Sequence, residues 1–245
     1  MKEEPFLKED TRPPSKLRAW GDALIITLLG CLLAGVGCFL LLGNYLRQQV
    51  DSQQLDLFHA ALWWEIAFAA AMGIILSVII VWQRVRGSSL RELGWGKPTP
   101  TLALVLAVLL GVAYLAGCYF GARFVLRGVD VLELSWVRFA LIPLGIFLAF
   151  GEETMMRGFF MTQLQKVRVA TWVQILASGA CSAVYHALQN PTLLGFLPSF
   201  VLFALHAGLY VLGKRSLTPV VLTHSMYHVF GQPYLLMMAL VAMKH

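Results

Sequence analysis

The sequence predicts an all-α, polytopic membrane bundle of about eight transmembrane helices, and three observations predict it. The 245 residues are 58% hydrophobic and 13% charged, with a mean hydropathy of +0.71. A soluble domain carries about 25% charged residues, so lipid is the solvent this surface suits. The apolar runs, of which Ala23 to Leu42 is the first, have the ~20 residues that a helix needs to cross a bilayer. They lack the alternation of barrel strands, and a backbone in lipid must satisfy its own hydrogen bonds, which leaves helices. Lys and Arg, finally, gather in short clusters between the runs: Arg84, Arg86, Arg91 and Lys97, then Lys166 and Arg168, then Lys214 and Arg215. A net charge of +6 distributed in this way is the positive-inside pattern and not a nucleic-acid surface, so no nucleic-acid partner is expected.

Residues 1–20 are polar, of mixed charge and proline-containing, and read as a weakly ordered cytosolic tail ahead of one transmembrane domain, 21–245. The tail is too long and acidic for a signal peptide, so Ala23 to Leu42 reads as an uncleaved span. Further spans are expected over Ala60 to Trp82, Thr101 to Phe120, Val137 to Met161, Thr171 to Leu188 and Leu194 to Leu212. The last apolar stretch, Leu217 to Met243, divides into two short spans at Gly231-Gln232-Pro233. Trp63 and Trp64 are expected at interface depth, and Glu65 beside them as a rim residue reaching the headgroups. The basic clusters fall on alternate connections and place the N-terminus in the cytosol; Arg123 and Arg127 depart from the pattern. Cys31, Cys38, Cys118 and Cys181 lie in apolar stretches and read as small buried hydrophobes.

The chemistry is read from where the ionisable residues fall. After Glu133 the only acidic residues are Glu152 and Glu153, adjacent and inside the apolar helix IFLAFGEETMMRGFFM. A charge at mid-membrane costs about 3 kcal/mol on insertion scales, so such residues face the bundle interior and mark a pathway or a site. Glu153 and Arg157 are four residues apart with the acid first, the favourable order for a helical pair. Glu152 is turned about 100° away and left free to act as a general base. Four histidines lie in the later spans: His186, His206, His224 and His228. His224 and His228 share one helix face, so both rings can meet one developing oxyanion or one metal. His206, without a spaced partner, reads as an interhelical hydrogen-bonder. Ala177-Ser178-Gly179 reads as helix packing.

These residues resemble the CPBP family of intramembrane proteases, also called the Abi or type II CAAX prenyl endoprotease family. The first family motif stands as Glu152-Glu153-Thr-Met-Met-Arg157 and the second as Ser182-Ala-Val-Tyr-His186, with Ser where Phe is usual. The third stands as His224-Ser-Met-Tyr-His228, with His where Asn is usual. The resemblance covers a catalytic core of about 137–230. It implies a glutamate-dependent endopeptidase in which Glu152, aided by His186, activates water against a peptide carbonyl. His224 with His228 would stabilise the oxyanion. The resemblance implies no tightly held zinc and no certain cofactor; because His228 adds a ligand, a divalent metal such as zinc, if one binds, would take Glu152, His186, His224 and His228.

The sequence therefore predicts a protease of a bacterial plasma membrane, acting on a hydrophobic peptide or membrane-protein substrate. Two other classes fit a Glu/His-bearing bundle: a non-enzymatic scaffold or immunity protein, and a proton-coupled transporter. The enzyme predicts that the polar residues converge, the transporter strings them along a path, and the scaffold pairs them off dry. Without His-Glu-x-x-His a site-2 zinc protease is disfavoured, and with no Asp after Asp130 an aspartyl protease is excluded.

Overall fold

The computed structural model describes residues 15–125, 136–187 and 193–228, and among these it contains helices and turns but no strand. We number the helices α1 (Lys16–Asp51), α2 (Leu57–Val85), α3 (Thr101–Val125), α4 (Trp136–Lys166), α5 (Thr171–Ala187), α6 (Leu193–Leu212) and α7 (Thr218–Met226). The chain is a helical membrane bundle: α1, α2, α4 and Thr101–Gly121 of α3 are each long and apolar enough to cross, and Phe196–Leu212 is a shorter apolar helix. The division at Gly231–Pro233 and the span expected after it lie outside the described residues.

The helices outrun the spans read from hydropathy. α1 starts at Lys16 where Ala23 was expected, and α4 continues to Lys166 past Met161. Hydropathy detects only the part of a helix that suits hydrocarbon, whereas backbone hydrogen bonding continues into the interface until a cap stops it. The caps are visible in the sequence: Ser15 accepts from the amide of Arg18 at 3.2 Å, and Asp56 accepts from the amides of Phe58 and His59 at 3.0 and 3.1 Å. On α1, Leu24, Leu28 and Leu32 recur every fourth residue and face outward, while Ala19, Ala23 and Ile26 are buried.

Small residues allow close helix contact. A Cβ on Gly151 would lie 3.2 Å from Met72, and one on Gly179 3.1 Å from Ala204, so α4 meets α2 and α5 meets α6 near backbone distance. Ser178, beside Gly179, donates to the carbonyl of Met156 at 3.1 Å and is fully buried.

Two π-helical stretches interrupt the α geometry, Cys31–Leu42 within α1 and Thr154–Phe160 within α4. The second begins directly after Glu152 and Glu153 and is buried along its whole length. A π turn widens the helix and re-aims the side chains around it, and such turns gather at functional sites. The first carries Phe39, whose ring lies 5.5 Å from Tyr185 and 6.2 Å from His186.

The basic connection between α2 and α3 is a folded cap. Ser89 and Glu92 form a capping box on the short turn Leu90–Leu93. Trp95 donates to Thr154 at 3.2 Å, Tyr210 donates to the carbonyl of Leu93 at 3.2 Å, and Lys166 pairs with Glu92 at 3.1 Å. Gly94 closes the turn at φ +104, where a Cβ would stand 2.6 Å from the carbonyl oxygen of Arg215. Gly94→Ala therefore meets both an unfavourable φ and a backbone clash, and we expect a loss of about 1–3 kcal/mol, read as a lower thermal midpoint in detergent. An unchanged midpoint would show that the cap is not held by this turn.

Candidate active site

The site is built on four helices. α4 supplies Glu152, Glu153 and Arg157, α5 supplies Tyr185 and His186, and α6 supplies His206. His224 comes from α7, and His228 from the π turn that continues it. The six residues singled out from the sequence, Glu152, Glu153, Arg157, His186, His224 and His228, come together in one cluster.

Adjacent on the chain, the two carboxylates face different partners. Glu153 Oε1 meets His224 Nδ1 at 2.7 Å and His206 Nδ1 at 3.0 Å, and its Oε2 lies 3.1 Å from Arg157 Nε as an ion pair without an aligned hydrogen bond. Arg157, 1% exposed, also donates Nη1 to Ser182 Oγ and Nη2 to the carbonyl of Phe203, each at 3.2 Å. Its guanidinium lies over the Phe203 ring, 5.1 Å from the centroid. Ser182 thus receives a donor that a Phe there could not accept. The aromatic beside His186 comes from the next helix instead: Phe203 packs on the imidazole with centroids 4.4 Å apart.

Glu152 is surrounded by donors and rings rather than left free. Tyr185 donates its hydroxyl to Oε1, and His228 Nε2 stands 2.8 Å from Oε2. His186 Nε2 lies 3.5 Å from Oε1, and His224 Nε2 lies 3.5 Å from Oε2.

The acceptors fix which ring nitrogens carry hydrogen. A carbonyl or carboxylate oxygen only accepts, so a ring nitrogen bonded to one must donate. His186 Nδ1 sits 2.8 Å from the carbonyl of Ser182 and is its donor, as His206 Nδ1 and His224 Nδ1 are toward Glu153. His228 donates through Nε2 to Glu152. In the neutral rings, His186 and His224 then present Nε2 lone pairs toward Glu152. His186, with 17% of its side chain exposed, opens the cluster outward, whereas the side chains of Glu152, Glu153, His206, His224 and His228 are at most 3% exposed.

Ligand atoms of Glu152, His224 and His228 lie within 4.8 Å of one another, as do those of Glu153, His206 and His224. Two imidazoles and a carboxylate are the donor set of a catalytic zinc, so the first group fits a divalent ion. The second fits less well, because Arg157 already neutralises Glu153.

Residues 134–230 match the family described as Type II CAAX prenyl endopeptidase Rce1-like. The match covers the segment that carries the site, less than half of the chain. No curated protein and no solved structure is a significant match to the chain. The six sequence-singled residues all fall in the Rce1-like segment, and so do His206, expected as an interhelical hydrogen-bonder and found bonded to Glu153 of α4, and Tyr185, which sequence reasoning missed. Tyr185 reads in sequence as one more aromatic in an apolar helix. The Rce1-like segment does not complete its own surroundings: Phe39 from α1 and Phe68 from α2 pack on Tyr185, and Phe68 also on His228.

Two residues of α2 differ from their sequence reading. Trp63 is 55% exposed as an interface residue should be, but Trp64 is fully buried against Phe39 and Gly43. Glu65 is not at the rim. It is 0% exposed, and neither carboxylate oxygen has a hydrogen-bond partner among the described residues. Helical rotation explains both: residues one apart on α2 point about 100° apart, so Trp63 can face lipid while Trp64 and Glu65 turn inward. A buried carboxyl without partners is costly, so Glu65→Met, close in volume and apolar, should stabilise the bundle by about 1–3 kcal/mol. Thermal unfolding in detergent checks this, and a lowered midpoint would count against it.

Proposed function

We propose that the chain is an intramembrane endopeptidase in which Glu152 and His186 share the attacking water. The observation that carries this reading is the pair of acceptor atoms, Glu152 Oε1 and His186 Nε2, set 3.5 Å apart at the exposed edge of a buried cluster. A water lodged beside both can give one hydrogen to each, which orients its oxygen lone pair toward a substrate carbonyl. Attack forms the C–O bond as the water's proton passes to Glu152, and the carbonyl oxygen becomes an oxyanion. Glu152 then returns that proton to the amide nitrogen as the C–N bond breaks, releasing a carboxylic acid and an amine.

His224 is the oxyanion donor in this reading. Its Nδ1–H is committed to Glu153, so it has an Nε2–H to give only as an imidazolium held between two carboxylates. Glu152, Glu153, Arg157 and that imidazolium sum to no net charge, which suits a site inside a bilayer. His228, its Nε2–H already committed to Glu152, orients the base and is not a free second donor. Glu153, Arg157 and His206 fix His224 and the start of the π turn. A divalent ion bound by Glu152, His224 and His228 would supply Lewis-acid polarisation of the carbonyl.

The substrate we propose is a hydrophobic or membrane-associated peptide, and the setting a bacterial plasma membrane with the N-terminus in the cytosol. The transporter reading fares worse, because the ionisable groups gather at one place instead of forming a path. The scaffold reading fares worse because the Nε2 acceptor of His186 is turned toward the Glu152 carboxylate at the exposed edge of the cluster, where neither atom satisfies the other.

The test is cleavage of a peptide library by purified protein in detergent, read by mass spectrometry, for wild type and Glu152→Ala with and without a chelator. Cleavage by wild type alone, surviving the chelator, supports the glutamate-dependent reading. Loss on chelation moves the role of Glu152 and His228 to metal ligation. Equal cleavage by both proteins removes Glu152 from the mechanism.

A further inference from the structure

Glu152 Oε1 has two lone pairs to place, and a residue at an unspecified position of the second motif uses one of them. Tyr185 is 1% exposed and donates its hydroxyl to that oxygen. On Oε2, His228 Nε2 takes the corresponding place at 2.8 Å. The carboxylate is therefore held at both oxygens, by a phenol from α5 and an imidazole from the π turn that continues α7. What remains on Oε1 is the lone pair turned toward His186 Nε2, 3.5 Å away.

The phenol is itself held by rings. Phe39 of α1 lies 5.5 Å and Phe68 of α2 lies 6.3 Å from the Tyr185 ring, and His186 meets it edge-on at 4.2 Å. Phe39 also packs on Phe68 at 5.1 Å, so two helices outside the Rce1-like segment close a clamp around this side chain. Aromatic pairs in such tilted and edge-on geometry hold one another in fixed orientations. The terminal torsion of a glutamate is otherwise broad, so a carboxylate gripped at one oxygen only would swing.

We propose that Tyr185 is a positioning residue of the peptidase. Clamped by Phe39 and Phe68, it fixes Glu152 so that one lone pair of Oε1 stays aimed at the water shared with His186. The hydroxyl and not the ring does this, and through it the N-terminal helices α1 and α2 set the geometry of the base. The proposal rests on the reading of Glu152 as base.

Removing only the hydroxyl separates the two parts of the residue. Tyr185→Phe keeps the ring in its clamp, so the thermal midpoint should hold within about 2 °C while kcat falls ~10–100-fold and KM changes less than two-fold. Tyr185→Leu, which also empties the clamp, should lower both kcat and the midpoint. Measured beside them, Glu152→Ala distinguishes the two possible failures. If Glu152→Ala is inactive while Tyr185→Phe keeps kcat within two-fold of wild type, the positioning role is overturned and the base stands. A fall in kcat matched by a falling midpoint in Tyr185→Phe also overturns it, because the hydroxyl would then be structural. If Glu152→Ala remains active, the reading of the base fails first and this proposal with it.

Discussion

Glu152→Gln should lower kcat for peptide cleavage by about 10²–10⁴-fold with the protein still folded. The amide keeps the size of the carboxylate and its oxygen can still accept from Tyr185, while its NH2 takes the place of Oε2 and meets His228 Nε2 once that ring carries its hydrogen on Nδ1. It cannot take a proton from water. Substrate binding does not use the base in this mechanism, so KM should change little, the signature of a group that acts in the transition state. A Gln variant that cleaves as fast as wild type would leave the cluster without a base, since Glu153 is already occupied by Arg157, His206 and His224. The thermal midpoint of the variant, measured in the same detergent, excludes unfolding as the cause of any loss.

Arg157→Met should be the most destabilising single change at the site, costing about 3–5 kcal/mol, because it leaves Glu153 buried without its countercharge. Two donations, an ion pair and a ring face are lost together: the donations to Ser182 and to the carbonyl of Phe203, the pair with Glu153 and the contact with the Phe203 ring. The energetic origin is testable with a second substitution. If the cost comes mainly from the orphaned carboxylate, Glu153→Gln placed on Arg157→Met should restore much of the midpoint, since the double variant buries no net charge. If the double variant is no more stable than Arg157→Met, the arginine acts by packing. In either case activity should stay low, because His224 loses the carboxylate that orients its ring.

The bundle was legible in the sequence because the bilayer imposes one rule on every span: apolar residues outside and backbone satisfied within. Where reading stopped at hydropathy it stopped short, since α1 and α4 continue past the apolar runs to polar ends. The pairing of Glu153 with Arg157 followed from spacing alone, because both lie on one helix and the i,i+4 geometry is local. The convergence of α4, α5 and α7 was indicated only by motif order, and its donors and acceptors could not be read at all. Tyr185 meets Glu152 across 33 residues, and His206 meets Glu153 across 53. Such contacts depend on the rotation of whole helices, for which neither residue carries a local signal. Glu65 shows the same limit from the other side: its position next to two tryptophans suggests an interface, and only the packing of α2 turns it inward.

The central claim is that Glu152 and His186 act on one water, and the most direct measurement is a double-mutant cycle in kcat. Glu152→Gln, His186→Ala and the two combined would be assayed on one cleavable peptide, with matched thermal midpoints as the control. Groups that act as a unit are non-additive, so the double variant should be no slower than the slower single variant within about three-fold. Losses that multiply would show that the two residues act on separate steps, and the shared water would be contradicted.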